Sequence, residues 1–520
     1  MQKLNDKKNR IFILLCFCVL ALSAFFRFYN LEKWTSFGMD QEYQAFIAGN
    51  IATGLHFPLI GVNASDTGLY LGPLFSYLTA LTYVFFGGDP IGWSVLASLW
   101  GVGTTLAVIL ISRKMFSNKV AVFAGVFYAS SFLISFYERQ YWNPTPIPLL
   151  SLLIGFFLYR FLKQKKHSLI HLSFVFAVAL QCHLSILVFL PVILYFVIGN
   201  RRHIDRGELK ISLLVLILSF VPVVLFDTRH NYQNLSALAN FILRASGSLN
   251  IPALGERFSE FISLIGRIVW VPFFPDLSVE SGQCKELIRF VKSPNIEAVL
   301  SGFLLLACFF LIAIRHHRQK FSFQVISSVF VATLGVLLFY NRTVFEYYYL
   351  YLFPWFSIAF ALALSYIDRK HHGLIISTSI LISFVGLNLG TLFTAQKTFQ
   401  YREKIQMIHY VKENVGNKPY ILQAIGGCEK FGGYRYLFDY YHKTPQSSYM
   451  DSYFSWLYSQ KESSANDPSL VLLSLIDPRS TFSEISGWEE EKLKYLADYD
   501  VVNQRKFNSI YVYILSPKTP

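Results

Sequence analysis

The amino-acid sequence predicts an all-α polytopic membrane protein of about eleven transmembrane helices, followed by a small C-terminal extracytoplasmic α/β domain. Three observations predict it. Hydrophobic residues make up 53% of the 520 residues and aromatics 17%, a membrane composition with enough rings for interfacial belts. Apolar runs of the length a helix needs to cross the hydrocarbon core, about 20 residues, recur between 11 and 394. Six basic clusters fall on alternate gaps between those runs: Lys3/Lys7/Lys8/Arg10, Arg113/Lys114/Lys119, Arg160/Lys163/Lys165/Lys166, Arg201/Arg202/Arg206/Lys210, Arg315/Arg318/Lys320 and Arg369/Lys370. Short loops rich in Lys and Arg stay in the cytoplasm, so the other gaps face outward.

The net charge of +14 follows the same logic. The clusters hold 20 of the 46 basic residues and only the acids Asp6, Asp205, Glu208 and Asp368, which leaves the rest of the chain close to neutral. Such a distribution is topological. It predicts membrane lipids with anionic headgroups as partners and argues against nucleic acid.

The chain opens with a basic stretch, Met1–Arg10, and an apolar run to Phe26 with no small-x-small cleavage site, which predicts a retained first membrane helix and a cytoplasmic N-terminus. The predicted spans are 11–29, 91–112, 119–137, 145–162, 168–183, 185–200, 209–226, 296–314, 322–340, 346–367 and 372–394. This threading requires that the apolar stretch 69–87 not cross. It reads as a helix lying along the outer leaflet, preceded by a second one over 41–54; a crossing at 69–87 would invert every later loop. Residues 1–394 form the membrane domain, with external loops 30–90 and 227–295, and 395–520 form the external domain. In that tail, helical patterns at Thr398–Val415 and Trp488–Ala497 alternate with β-rich runs at Tyr420–Ile425, Ser469–Ile476 and Ser509–Leu515. Of six cysteines, only Cys284 and Cys428 fall outside, where a disulfide between them is conceivable.

The outward gaps hold the residues able to do chemistry. Asp40, in Gly38-Met39-Asp40-Gln41-Glu42, has three readings: general base for a hydroxyl, divalent-cation ligand together with Glu42, or plain cap of the helix starting at Gln41. Asp89-Pro90 and Asn143-Pro144 read as helix caps. Arg139 gains nothing from the orientation rule; it suits a phosphate, or else pairs with Glu138 or a lipid headgroup. Asp227, Arg229 and His230 crowd a helix end, as a phosphate and hydroxyl site or a solvated loop start. Arg342 precedes Glu346 and the run Tyr347-Tyr348-Tyr349, as a sugar-phosphate site or an interfacial tyrosine belt. His183 reads first as a polar residue satisfied at a hairpin turn. The sequons at Asn63, Asn234 and Asn341 all face outward.

The order of these pieces resembles a known superfamily. An acidic first external loop (Asp40–Glu42) precedes Gly72-Pro73-Leu74-Phe75-Ser76-Tyr77, the basic Ser112-Arg113-Lys114-Met115-Phe116, and Glu138-Arg139 before Trp142-Asn143-Pro144. Over roughly residues 10–370 the chain looks like the polytopic GT-C glycosyltransferases, near protein O-mannosyltransferases, lipid A aminoarabinose transferases and RgtA/B/C/D-like sugar transferases. The resemblance implies a GT-C-like fold. It also implies transfer of a sugar from a polyprenyl-phosphate donor to a lipid, glycan or protein acceptor on the outer face of the cell (plasma or inner) membrane. Asp40 matches the presumed catalytic carboxylate, although Gln41 separates it from Glu42 where the family often has adjacent acids. Arg139 matches the basic residue after the third span, with Arg229, His230 and Arg342 as looser donor-phosphate ligands. Glu138, Asp227, Tyr348 and His183 stand as substrate-binding candidates, and a divalent cation as an open cofactor. The rival class is a transporter or lipid flippase of envelope polysaccharide assembly, disfavoured because no internal duplication is visible and the ionisable groups gather at helix mouths.

Overall fold

The computed structural model describes residues 2–64, 68–245, 255, 258, 261–262, 265–268, 300, 302–309, 320–339, 346–368, 372–395, 401–425, 432–454, 469–475, 488–507 and 510–518. The long apolar helices fall where the hydropathy places them: α1 (Gln2–Phe28), then, after the short α2 (Leu31–Trp34), α3 (Met39–Ala52) and α4 (Leu74–Phe86), comes α5 (Pro90–Met115). Asp89 caps α5 by accepting the Ile91 N–H at 2.8 Å, as its Asp-Pro sequence predicts. The expected span 119–137 is broken into α6 (Asn118–Ser130) and α7 (Phe132–Tyr137), because the Ser131 side chain caps a fresh start. Next come α8 (Ile147–Leu162), α9 (Ser168–Cys182), α10 (Phe189–Gly199), α11 (Arg206–Arg229), the amphipathic α12 (Gln233–Ala245), α13 (Lys320–Phe339), α14 (Phe353–Ile367) and α15 (Gly373–Thr394). The helix α8 begins later than expected. Asn143 is not its cap; its amide donates instead to the Cys182 carbonyl at 2.8 Å, tying two turns together. Among the described residues, five helical segments are long and apolar enough to cross a membrane, and shorter apolar helices pack among them.

Contacts among the described residues bring the surroundings of the basic clusters to one end of this bundle. Arg113 donates to Asn9, the Tyr159 hydroxyl to the Lys114 carbonyl, and Ser322 to the Met115 carbonyl. Lys119 pairs with Asp368, and Glu208 at the start of α11 accepts the Leu169 N–H at the start of α9. The opposite end is tied as consistently. Asn388 near the end of α15 accepts the Phe132 N–H, and Lys33 donates to the Ala395 carbonyl.

The stretch 69–87 begins and ends at that second end. Tyr77 donates to the Pro58 carbonyl at one extremity of α4, and the Gly88 carbonyl beyond the other accepts from Tyr436. At 13 residues α4 measures about 20 Å, the same as α6, and is one of several short apolar helices among the long ones. One of its faces, Leu81, Val84 and Phe85, is apolar and exposed, as a helix resting on a bilayer requires.

The C-terminal domain is a five-stranded mixed sheet in the order β2-β1-β3-β5-β4, from β1 (Tyr420–Ile425), β2 (Ser447–Ser448), β3 (Ser469–Leu475), β4 (Tyr499–Phe507) and β5 (Ile510–Pro517). β1 lies parallel to both β2 and β3, whereas β5 runs antiparallel to β3 and β4. The helices α16 (Tyr401–Val415), α17 (Tyr434–Tyr440) and α18 (Trp488–Asp498) complete it. Its apolar core does not end at the domain edge. Phe37, Ala45, Phe75, Trp93 and Tyr141 of the membrane domain share one buried cluster with Tyr401, Val411, Leu437 and Val512. The two domains are therefore cemented by apolar burial, with Lys404 donating to the Phe37 and Gly432 carbonyls at 2.6 Å each. Cys284 and Cys428 lie outside the described residues.

Candidate active site

The helix α3 packs against the C-terminal domain, and its first turn shows that Asp40 is not its cap. The helix starts at Met39, and Gln41 reaches back to accept the Gly38 N–H at 2.9 Å. Asp40 is thus not the cap, and Gln41, which separates the two acids, is a structural residue of the helix start. Asp40 is exposed at the second helical position, where the N-terminal dipole favours a negative charge. It nonetheless sits among enough surrounding protein that burial pushes its carboxyl above the ordinary aspartate range, with no charged group beside it among the causes. An exposed carboxylate can both meet a solute and take a proton.

Glu42 has a different fate, and two expectations about it need correction. It is 0% exposed, and its Oε1 accepts the Tyr436 N–H at 2.8 Å, on the first turn of α17. Residues two apart on a helix do not face the same way, so Asp40 and Glu42 cannot close on one divalent ion. Glu42 is a docking residue of the C-terminal domain and not a second catalytic or metal-binding acid. Desolvation raises its pKa to about 7 against the opposing pull of the Tyr436 N–H, Lys404 and Arg435.

Glu138 also differs from expectation. Arg27, near the outer end of α1, donates Nε to Glu138 Oε2 at 2.8 Å, and Tyr128 donates to Oε1 at 2.6 Å. The remaining Arg27 nitrogens reach the carbonyls of Ser23, Ala129 and Tyr128, so a fully buried guanidinium has its donors matched. Glu138 is 3% exposed and belongs to this pair rather than to a substrate surface. Gly101 of α5 is glycine because a Cβ would stand 2.5 Å from Arg27 Nε and 2.7 Å from Glu138 Oε2. Arg139 is buried next to it, over the Trp34 ring at 5.3 Å, and donates to the Phe26 and Arg27 carbonyls that end α1. Its Nη1 meets no hydrogen-bond partner among the described residues.

The cluster at the end of α11 divides in two. Asp227 is buried and accepts the Asn234 and Leu235 N–H groups at 2.8 and 2.9 Å, which starts α12; this corrects its assignment as a substrate ligand. Asn234 in turn clamps the Tyr70 backbone through both its amide oxygen and nitrogen, so this sequon asparagine is occupied. Arg229 and His230 remain exposed, with the His230 ring stacked on Phe226 at 4.0 Å. Phe226 meets Tyr70 at 6.4 Å, and Tyr43, one turn along α3 from Asp40, lies within electrostatic range of Tyr70. The loop containing Tyr70 thus packs on the α11 end that carries His230.

His183 and Tyr348 are brought together, with ring centroids 5.6 Å apart, while Tyr347 bridges His183 to Trp142. His183 accepts the Ser185 N–H, as a satisfied residue at a turn would. Arg342 and Asn341 lie outside the described residues. Sequence reasoning missed Arg27, Lys404 and Tyr436. Arg27 carried a usable signal, since an arginine inside an apolar run calls for a buried partner. Lys404 and Tyr436 carried none.

Described helices tied at a basic end, a short apolar helix α4, an exposed carboxylate at the start of α3 and strands and helices packed on the membrane domain fit a GT-C-like fold. Comparisons with known proteins agree. Residues 71–226 match the family described as dolichyl-phosphate-mannose-protein mannosyltransferase. Crystal structures of ArnT from Cupriavidus metallidurans align over 98% of both chains at 11% identity, with TM-scores of 0.54 for the apo state and 0.52 bound to undecaprenyl phosphate. The apo oligosaccharyltransferase of Archaeoglobus fulgidus aligns over 89% of this chain and 69% of its own, at 14% identity and a TM-score of 0.53. No curated protein matches at the sequence level. At such identities the structures show the fold, and with the family match they support a GT-C superfamily glycosyltransferase.

Proposed function

We propose that the protein transfers a sugar from a polyprenyl-phosphate-linked donor to an acceptor hydroxyl on the extracytoplasmic side of the cell membrane. Eleven crossings place the basic end in the cytoplasm, with the N-terminus inside and the C-terminal domain outside. Asp40 is the catalytic base. As its carboxylate takes the acceptor proton, the acceptor oxygen bonds to the anomeric carbon, the bond from that carbon to the phosphate oxygen breaks, and the configuration inverts. The negative charge left on the lipid phosphate meets Arg229 and His230, together with Arg342 and the unpaired Nη1 of Arg139. His183 and Tyr348 contribute an aromatic wall for substrate.

The observation that carries this reading is the freedom of Asp40. It is exposed and is not the cap of its helix, since Gln41 takes the Gly38 N–H. The test compares membranes containing the wild-type protein with membranes containing Asp40→Asn, supplied with polyprenyl-phosphate sugars, and reads glycan and lipid products by mass spectrometry. Loss of a product with retention of lipid-donor binding supports a transferase. Undiminished product from Asp40→Asn refutes it, and movement of an unmodified lipid-linked sugar across the bilayer identifies the flippase instead.

A further inference from the structure

The side of α3 turned away from Asp40 borders a groove of about 750 Å³, a volume typical of small-molecule clefts. Gly49, nine residues after Asp40, is two and a half helical turns on and so lies on the opposite side of α3; it lines the groove with Ala45 and Phe46. The groove is therefore separate from the reaction centre. Its walls come from two domains: Tyr83 from α4, and Tyr436, Tyr440 and Tyr441 from and just beyond α17.

These rings are held as fixed plates. The Tyr436 hydroxyl donates to the Gly88 carbonyl at 2.9 Å, and its backbone is held by Glu42. Tyr440 lies nearly parallel to Tyr436, at 15° and 6.2 Å, and Tyr441 stands across Tyr440 at 86°. The Tyr441 hydroxyl is tied to that of Tyr401 at 2.9 Å. The Tyr436 and Tyr441 hydroxyls are anchored, and Tyr436 is itself buried behind Tyr440, so the half-buried rings of Tyr83, Tyr440 and Tyr441 are what the groove offers. Beside them stand Lys412, Asp439 and His442, which bring charged donors, a carboxylate acceptor and an imidazole, with no dominant sign of charge. Flat aromatic faces pack on the C–H faces of pyranose rings, and the mixed polar groups serve their hydroxyls. A fixed array of this kind suits a neutral carbohydrate better than a lipid tail or an anion.

From this juxtaposition we infer that the groove between α3 and α17 binds an oligosaccharide, the outlying part of an acceptor whose reactive hydroxyl is at Asp40. The inference rests on the transferase reading and narrows the acceptor class to a glycan of several residues. The groove is remote from the bond being formed, so it contributes affinity and length preference without contributing to proton transfer.

The test uses the full-length protein in lipid nanodiscs free of glycosidic detergent, with mannotriose and cellotriose as probes and saturation-transfer NMR as readout. Wild type transfers saturation to the ring protons of at least one trisaccharide. Tyr440→Ala weakens that binding at least about tenfold. Gly49→Leu does the same by filling the groove, since a Cβ at Gly49 meets only Tyr83 carbons and hydroxyl at ordinary contact distances of 3.6 to 3.7 Å, and the helix tolerates leucine. Asp40→Asn binds the trisaccharide as wild type does. Absence of trisaccharide binding by wild type, equal binding by both groove variants, or binding of a neutral tyrosine-containing peptide in place of saccharide overturns the inference. Product formation by Asp40→Asn is scored separately and refutes only the catalytic assignment.

Discussion

Replacing Glu42 with glutamine isolates the contact that couples the membrane domain to the C-terminal domain. Glu42 is fully buried; one oxygen accepts the Tyr436 N–H and Oε2 has no hydrogen-bond partner among the described residues. Burial raises its carboxyl from 4.5 to about 7. The docked state consequently holds the proton more tightly than a solvated carboxyl does. Docking then gains stability as pH falls through about 7, gains all of it below 4.5, and loses it as pH rises past about 7. At about 1.4 kcal/mol per pKa unit, the full swing is on the order of 3 kcal/mol. Glutamine keeps an acceptor for Tyr436 and carries no charge, so Glu42→Gln docks at high pH as firmly as wild type does at low pH. Hydrogen exchange of the Tyr436–Tyr440 amides reads this directly. Wild type shows faster exchange through domain opening at pH about 8 than at pH about 5.5, after correction for the intrinsic pH dependence, and the variant shows no such difference. An equal corrected pH dependence in both proteins refutes the argument, because the titrating group would then not be Glu42.

Three further outcomes follow from named contacts. Asp40→Asn lowers turnover by about 10²- to 10⁴-fold, the usual contribution of a general base, with donor binding unchanged by direct lipid titration. Gly101→Ala pushes a methyl group into the Arg27–Glu138 pair, and Arg27→Met leaves Glu138 charged and buried; each destabilises by about 3–5 kcal/mol in thermal unfolding, whereas Arg27→Met with Glu138→Gln recovers most of the loss. Arg229→Ala combined with His230→Ala weakens the polyprenyl-phosphate sugar about ten- to hundredfold, as expected for lost charge-assisted hydrogen bonds, and an unchanged donor KM removes these residues from the site.

The helical layout was legible because both of its signals are local. Hydropathy marks each run within a window of about 20 residues, and a basic loop announces its own side. The contacts of Arg113 with Asn9, Tyr159 with Lys114 and Lys119 with Asp368 place those clusters together, as the alternation requires. The expectation that 69–87 lies along the membrane rests on the same kind of local reading, through the charges on either side. Within the site, exposure and pairing were not legible. Glu42 and Asp40 are equally acidic on paper, and Tyr436, which takes Glu42 out of the reaction centre, is 394 positions away. Asp227 and His230 are neighbours in sequence, yet one caps α12 while the other stays open. Asn143-Pro144 carried the local signature of a helix cap and Asn143 bonds instead to Cys182. In each case a distant partner decided between two chemistries that the local sequence permitted equally.

The division of labour along α3 explains why this short helix can serve catalysis, docking and recognition at once. Successive residues leave a helix about 100° apart, so Asp40, Glu42 and Gly49 point into three separate environments: the exposed surface, a buried domain interface and a tyrosine-lined groove. The glutamine between the two acids ties the start of the helix by accepting the Gly38 N–H. Because Glu42 fixes Tyr436, and Tyr436 is both a wall of the groove and the anchor on Gly88, loosening the domain interface also dismantles the groove. Under the proposed function, acceptor recognition and the placement of the Asp40 carboxylate are therefore linked through α3.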